Sequence, residues 1–200
     1  MNSAHCPEAA SDLIPVRPRM TVTEFVALPD DGIDRMLLDG EVWEIGDPKL
    51  RGHLHGAVVA RLTFWLVGWN KARLRPRGEV IVRDAGFRLI RGDDSILSPD
   101  LSYAAPDLIT RTSDRLAYRD GAPVMAVEIP ARSDTVGQQV SRVRKYLQAG
   151  TVVWEVQPEY QLIRVHRPGS PVESFNNTQE LVGDPYLPGF RVAVAEFFAD

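Results

Sequence analysis

Two carboxylates stand at the ends of apolar runs, and their placement suggests a specific chemistry. Ser98-Pro99-Asp100 opens the run Leu101-Ser102-Tyr103-Ala104, and Val124-Met125-Ala126-Val127 leads into Glu128, Ile129 and Pro130. An ionised carboxylate at a buried strand end is costly to desolvate unless it is paired, hydrogen-bonded or bound to a metal. Two together repel unless a cation lies between them or one takes a proton. If the two strands are antiparallel neighbours, the start of one meets the end of the other at a single sheet edge, where open α/β sheets gather ligands. The Ile129 carbonyl adds a third oxygen, still able to accept although Pro130 follows. Two carboxylates, a main-chain carbonyl and water form a hard-oxygen set suited to magnesium or manganese. Such an ion polarises a phosphoryl oxygen and lowers the pKa of a bound water. The competing reading is two strand-end acids that face solvent or pair with arginines, and spacing alone does not separate the two.

Other motifs compete poorly. His53-Leu54-His55 has the spacing of a metal-binding pair, but Val59 stands where a cupin needs its glutamate, and the segment reads as a helix start. His55 is therefore expected to cap or pack at the helix entry. There is no GxSxG elbow, phosphate-binding loop or dinucleotide fingerprint in the sequence.

The elements that must position the acids follow from periodicity. Residues 1–20, with Pro7, Pro15 and Pro18, read as a flexible tail, and residues 21–200 as one domain. Thr21 and Glu24 form a capping box for a short helix to Leu28. Met36-Leu37-Leu38, Asp39-Gly40 and Val42-Trp43-Glu44-Ile45 predict a β-hairpin on a tight primed turn. Val58, Leu62, Trp65, Leu66 and Trp69 share one face of a helix over 54–69, which argues for core packing by both tryptophans. Strands are expected at 80–82, 86–90 and 101–104 as an antiparallel meander, with 106–121 largely irregular. The nearly unbroken apolar run 124–129 predicts a central strand covered on both faces. A helix from about Asp134 follows, with Val136, Val140, Val143 and Leu147 as its buried stripe and Gly150 as its stop. Strands at 152–156 and 162–166 complete an α/β domain with a mixed central sheet flanked by helices, the order around 124–156 implying a parallel crossover.

Composition adds bounds. A chain of 200 residues with 44% hydrophobic and 25% charged content is ordinary for a globular domain. No apolar run approaches a membrane span. A leader-like N-terminus is missing and Cys6 is the lone cysteine, so a reducing cytoplasmic setting without a cysteine–zinc cluster is expected. The net charge of −4 does not advertise nucleic-acid binding. Locally, Lys71, Arg73, Arg75 and Arg77 alternate, and Arg142, Arg144 and Lys145 cluster. Either group is a solvated face or a track for a polyanion.

From Met20 almost to the C-terminus the chain resembles the Uma-two family of restriction-endonuclease-like proteins, within the PD-(D/E)xK phosphodiesterase superfamily. The resemblance rests on MTVTEFVALP, LLDGEVWEI, HGAVVARL led by His55, GFRLIRGDDSILSPDLSYA, VMAVEI, Ser133-Asp134, KYLQAG, VVWEV and LPGFRVAVAEFF, in that order. It implies a restriction-endonuclease-like core and Mg²⁺- or Mn²⁺-dependent cleavage of DNA. Asp100 matches the PD aspartate and Glu128 the second acidic ligand. By fold-level analogy, enzymes that cut both strands pair two sites about a two-fold axis, so a homodimer is expected.

The chain departs from this pattern at two positions. The superfamily lysine two residues past the glutamate would fall at Pro130, and the family's relocated lysine, four residues before Tyr146, falls at Arg142. A hairpin glutamate common in the family falls at Met36. Arginine stays charged and presents a planar fork, so Arg142 is a phosphate clamp and a poor general base. Gln139, Arg142 and Tyr146 lie at i, i+3 and i+7, on one helix face that could point at the acids. Gln139 and Lys145 are the further phosphate-binding candidates. Alternatively Arg142 forms an ion pair with Asp100 or Glu128 in place of the metal. Three readings stand: a Mg-dependent endonuclease acting on DNA, a silent relative that binds nucleic acid or a protein without cutting, or a hydrolase of some phosphodiester other than nucleic acid.

Overall fold

The computed structural model describes residues 19–45, 52–83, 85–111, 118–131 and 134–199. The expected tail lies outside them as far as residue 18, as do Cys6, Ser133 and residues 112–117. Met20 is already anchored, its N–H donating to the Gly40 carbonyl at 2.7 Å. In chain order the first elements are α1 (Val22–Val26), β1 (Arg35–Leu38), β2 (Glu41–Glu44), α2 (Gly52–Ala72), β3 (Glu79–Val82), β4 (Gly86–Arg88) and β5 (Leu101–Ala104). Then come α3 (Pro106–Arg111), β6 (Tyr118–Asp120), β7 (Met125–Glu128), α4 (Val136–Gln148), β8 (Val152–Gln157), β9 (Leu162–His166), β10 (Glu173–Asn176), β11 (Glu180–Val182) and β12 (Arg191–Ala193).

Six strands form the central sheet in the order β10-β9-β8-β7-β5-β3. Only β7 and β8 run parallel, joined through α4, and every other neighbouring pair is antiparallel. Side chains alternating along each strand feed two cores. On one face α2 sets Val58, Leu62 and Leu66 against Leu101, Val127, Trp154 and the C-terminal Phe190 and Phe197. Trp69 meets Tyr103 edge-on with ring centroids 5.0 Å apart, so the tryptophans of α2 pack inward as their spacing implies. On the other face α3, α4 and the β1–β2 hairpin enclose Met36, Leu108, Ala126, Tyr146 and Val153. The Asp39-Gly40 turn has φ of 51° and 81°, the left-handed pair that a two-residue primed turn demands. No helix among the described residues is long and apolar enough to cross a membrane.

The stretch 106–121, expected to be largely irregular, holds α3 and β6, and two further differences from the sequence expectation bear on the site. β4 leaves the expected meander and pairs in parallel with β6, outside the main sheet. Ile96 packs where a Cβ on Gly86 would stand, 2.7 Å away, so a glycine is needed there. The second difference is the face that α4 buries. Thr135 and Gln138 cap it as a capping box, but Val136 is 75% and Val140 58% exposed. Arg142, Val143, Lys145 and Tyr146 are buried instead, because the helix turns Arg142 toward a carboxylate on β7 and Lys145 toward carboxylates of the hairpin and the β4–β5 loop.

Candidate active site

Strand register carries the two acids to one place. Leu101 pairs with Val127, and the Asp100 N–H donates to the Val127 carbonyl at 3.1 Å, so Asp100 stands beside Glu128. The row continues on both sides. The Arg83 N–H donates to the Asp100 carbonyl at 3.1 Å, Glu128 is the register partner of Glu155, and Glu155 of Arg164. Their chain neighbours Leu101, Val127, Trp154 and Ile163 belong to the α2-side core, so alternation turns this polar row toward α4.

Asp100 and Glu128 are each only 7% exposed. Asp100 Oδ2 accepts from the Ile129 N–H at 2.8 Å, and its Oδ1 accepts from Arg83 Nη1 at 3.0 Å. His55 Nε2, at the start of α2, stands 3.1 Å from the same Oδ1 without hydrogen-bond alignment. Glu128 Oε2 accepts from Arg142 Nε at 3.0 Å, and Arg142 Nη2 donates to Asp134 Oδ2 at 2.7 Å. Asp134 is fixed in turn by the Ala131 N–H at 3.1 Å. Glu128 Oε1 is buried without an aligned hydrogen bond, and the Tyr146 hydroxyl stands beside the carboxylate. Burial pushes the Glu128 carboxyl up to about 7, with Arg142 opposing and the neighbouring Asp100 charge adding to the rise. The Tyr146 hydroxyl, buried beside Glu128, is also pushed up, by burial first and by the Glu128 charge second.

Arg83, Asp100, Glu128, Asp134 and Arg142 line a cavity of about 30 Å³, room for one water-sized species, walled by Met36, Trp43 and Ile45. Among the described residues no three His, Cys, Asp or Glu side chains are grouped as a metal cage. A magnesium-type ion does not require one, since it commonly takes one or two carboxylates and keeps several waters. The donor set suits such an ion at the Glu128 carboxylate, which lines the small cavity and whose Oε1 makes no aligned hydrogen bond. A charge arriving there meets two guanidiniums already in place.

Of the residues singled out in the sequence, the structure brings Asp100, Glu128, Ile129 and Arg142 to this cavity. The ion pair weighed for Arg142 is present and goes to Glu128. Gln139 lines a separate groove on the far side of α4, and Gln138, whose side chain caps the helix at Thr135, lines the carboxylate cavity instead. Lys145 Nζ is engaged by Asp39 and Asp93. The basic stretch after α2 lies at the end of that helix remote from His55, roughly 25 Å along its axis at about 1.5 Å per residue. There Arg73 stacks on Trp69 and donates to the Pro188 carbonyl.

Three neighbours were not legible as site residues. Arg83 was detectable in principle, because pairing 80–82 with 101–104 places the next residue opposite Asp100. Asp134 carried only a motif match. His55 stands out for its His-x-His spacing but is expected from sequence to cap or pack at the helix entry; its contact instead runs from the start of a helix on the opposite face of the sheet to a strand edge.

A mixed sheet with paired acids at the ends of adjacent central strands defines an α/β protein of nuclease-like fold. The chain belongs to the Uma2 family, described as "Putative restriction endonuclease", whose profile matches residues 22–195. It is also similar to a solved structure described as a putative nuclease belonging to DUF820 from Anabaena variabilis. That likeness has a TM-score of 0.76 at 18% identity and covers 90% of this chain and 97% of the other, and it shows the fold alone. No curated protein matches the chain.

Proposed function

We propose that the chain is a magnesium- or manganese-dependent endonuclease that hydrolyses DNA phosphodiester bonds. The observation that carries this reading is the convergence of the buried Asp100 and Glu128 carboxylates on one cavity. Asp100, Glu128 and the Ile129 carbonyl hold the ion, which when bound supplies charge to a phosphoryl oxygen and acidifies a water. The protein's own groups do the rest. The Ile129 N–H fixes the Asp100 carboxylate, and Met36, Trp43 and Ile45 restrict water at the rim. Arg83 and Arg142 present spare N–H donors to phosphate oxygens, bonds that the fork geometry of arginine favours. The cytoplasm is the proposed setting, and two chains about a two-fold axis the proposed assembly for cutting both strands.

Plasmid nicking with added magnesium or manganese tests this reading, with Asp100→Ala and Glu128→Ala as controls. Nicking abolished by both substitutions is the expected result, and cleavage that persists in both removes the assignment.

Two observations favour a second reading, a silent nuclease-fold protein that binds nucleic acid or a protein partner. Arg83 and Arg142 already neutralise the acidic pair, and Met36 lines the cavity where the family commonly has a glutamate. Combining Arg142→Lys with Met36→Glu separates the readings. Activity that appears only in the double variant assigns the natural chain to binding.

A further inference from the structure

Arg142, which α4 sets over the polar row, bridges two carboxylates on different segments from within the buried interior. Its Nε holds Glu128 at the end of β7, and its Nη2 holds Asp134 just before α4. Glu128 is thus divided, one oxygen bonded to a fixed organic cation and the other buried without an aligned hydrogen bond, beside the Tyr146 hydroxyl. An incoming divalent ion at Glu128 and the Arg142 guanidinium are like charges competing for one carboxylate. In a buried setting such competition is weakly screened. Asp134 matters because it gives the guanidinium a second anchor. With Asp134 present, Arg142 can release Glu128 without becoming an unpaired buried cation, which would be far more costly.

We propose that Arg142 is a resident cation that competes with the divalent ion for Glu128, and that Asp134 is the positioning residue that lets this exchange occur. The inference rests on the metal-site reading above and deepens it. The site fills only when cation concentration is high enough to displace Arg142 from Glu128. Displacement frees Arg142 Nε on the cavity side, while Nη2 remains on Asp134.

The test is calorimetric titration of Mn²⁺ into the full chain and its variants, each first checked for a cooperative melt. Arg142→Gln should bind Mn²⁺ about tenfold more tightly than the natural chain, the scale of one charge-assisted hydrogen bond. Arg142→Lys should fall between, because a single ammonium keeps the charge but cannot bridge both carboxylates as the fork does. Asp134→Asn should weaken Mn²⁺ binding in the natural background and lose most of that effect when Arg142→Gln is also present.

If Arg142→Gln does not fold, tightening in Arg142→Lys carries the same conclusion. Equal affinity in the natural chain and the folded Arg142 variants overturns the inference while leaving the metal site standing. An Asp134→Asn effect of the same size in both backgrounds overturns the positioning role. No saturable Mn²⁺ binding in any chain overturns the inference together with the metal-site reading.

Discussion

Glu128 and Glu155 are register partners on the parallel strands β7 and β8, and α4 crosses so that they serve different cavities. Glu128 meets Arg142 and Asp100 in the narrow cavity, whereas Glu155 meets His166 at 2.9 Å and Arg164 at 3.6 Å beside the groove on the far side. Side chains on neighbouring strands face the same way, about 5 Å apart. Their environments nevertheless push the two carboxyls in opposite directions, Glu128 upward through burial and Glu155 downward through the His166 hydrogen bond.

The contrast sets the pH dependence expected of Glu155→Gln. A carboxyl held below its unfolded value contributes stability that is present above that value, near 4.5, and is lost as pH falls through the folded value. Urea unfolding at neutral pH should show the variant less stable by about 1 kcal/mol, the net scale of one hydrogen bond. The gap should close as the pH is taken well below 4.5. A gap that stays constant with pH would mean that the carboxylate charge is not what stabilises the pair.

Arg83 offers a test of how the cavity meets a polyanion. Its Nη1 donates to Asp100 Oδ1 and its Nη2 lies 3.5 Å from Asp34, which leaves donors to spare. With Ca²⁺ in place of Mg²⁺, fluorescence anisotropy of a labelled DNA duplex should show weaker binding by Arg83→Gln. For every phosphate that Arg83 neutralises, the substitution should make the slope of log affinity against log salt shallower by about one. An unchanged slope and affinity would confine Arg83 to bonding Asp100.

Asp100 and Glu128 were legible in the sequence because each ends an apolar run, and strand pairing then leaves little freedom in where they meet. The hairpin turn was legible because Asp39-Gly40 is a local conformational signal. The face of α4 was not. Its stripe of aliphatics has good helical spacing, yet the helix buries Arg142, Lys145 and Tyr146 and leaves Val136 and Val140 outside. Helical periodicity registers hydrophobicity, while the orientation here is set by ion pairs to residues distant in the chain. The same limit hid His55 and Arg83, whose roles exist only through pairing.

Lys145 illustrates that limit on the energy scale. Sequence makes it a phosphate-binding candidate, but its ammonium bridges Asp39 of the hairpin turn and Asp93, tying β1–β2 to α4. Lys145→Met should lower unfolding free energy by about 2 kcal/mol. This is less than an enclosed pair would lose, because Asp39 is largely exposed and can turn to water. Chemical denaturation measures it. A change of under about 0.5 kcal/mol, the level of an ordinary surface substitution, would show that the bridge contributes little in solution.

The exposed valines provide the sharpest contrast between pattern and packing. Val140 and Val143 lie on the same expected apolar stripe, but Val140 is 58% and Val143 only 9% exposed. Val143 packs with Ala126, Tyr146 and Val153 beneath the helix, whereas Val140 stands on the rim of a groove of about 550 Å³ that also borders Glu155, Arg164 and His166. Val143→Ala should therefore cost about 2 kcal/mol through reduced burial and the cavity left behind. Val140→Ala should change stability by no more than about 0.5 kcal/mol. Paired urea titrations at low protein concentration decide between them. Equal losses at both positions would restore the stripe read from the sequence and require Val140 to be covered in solution.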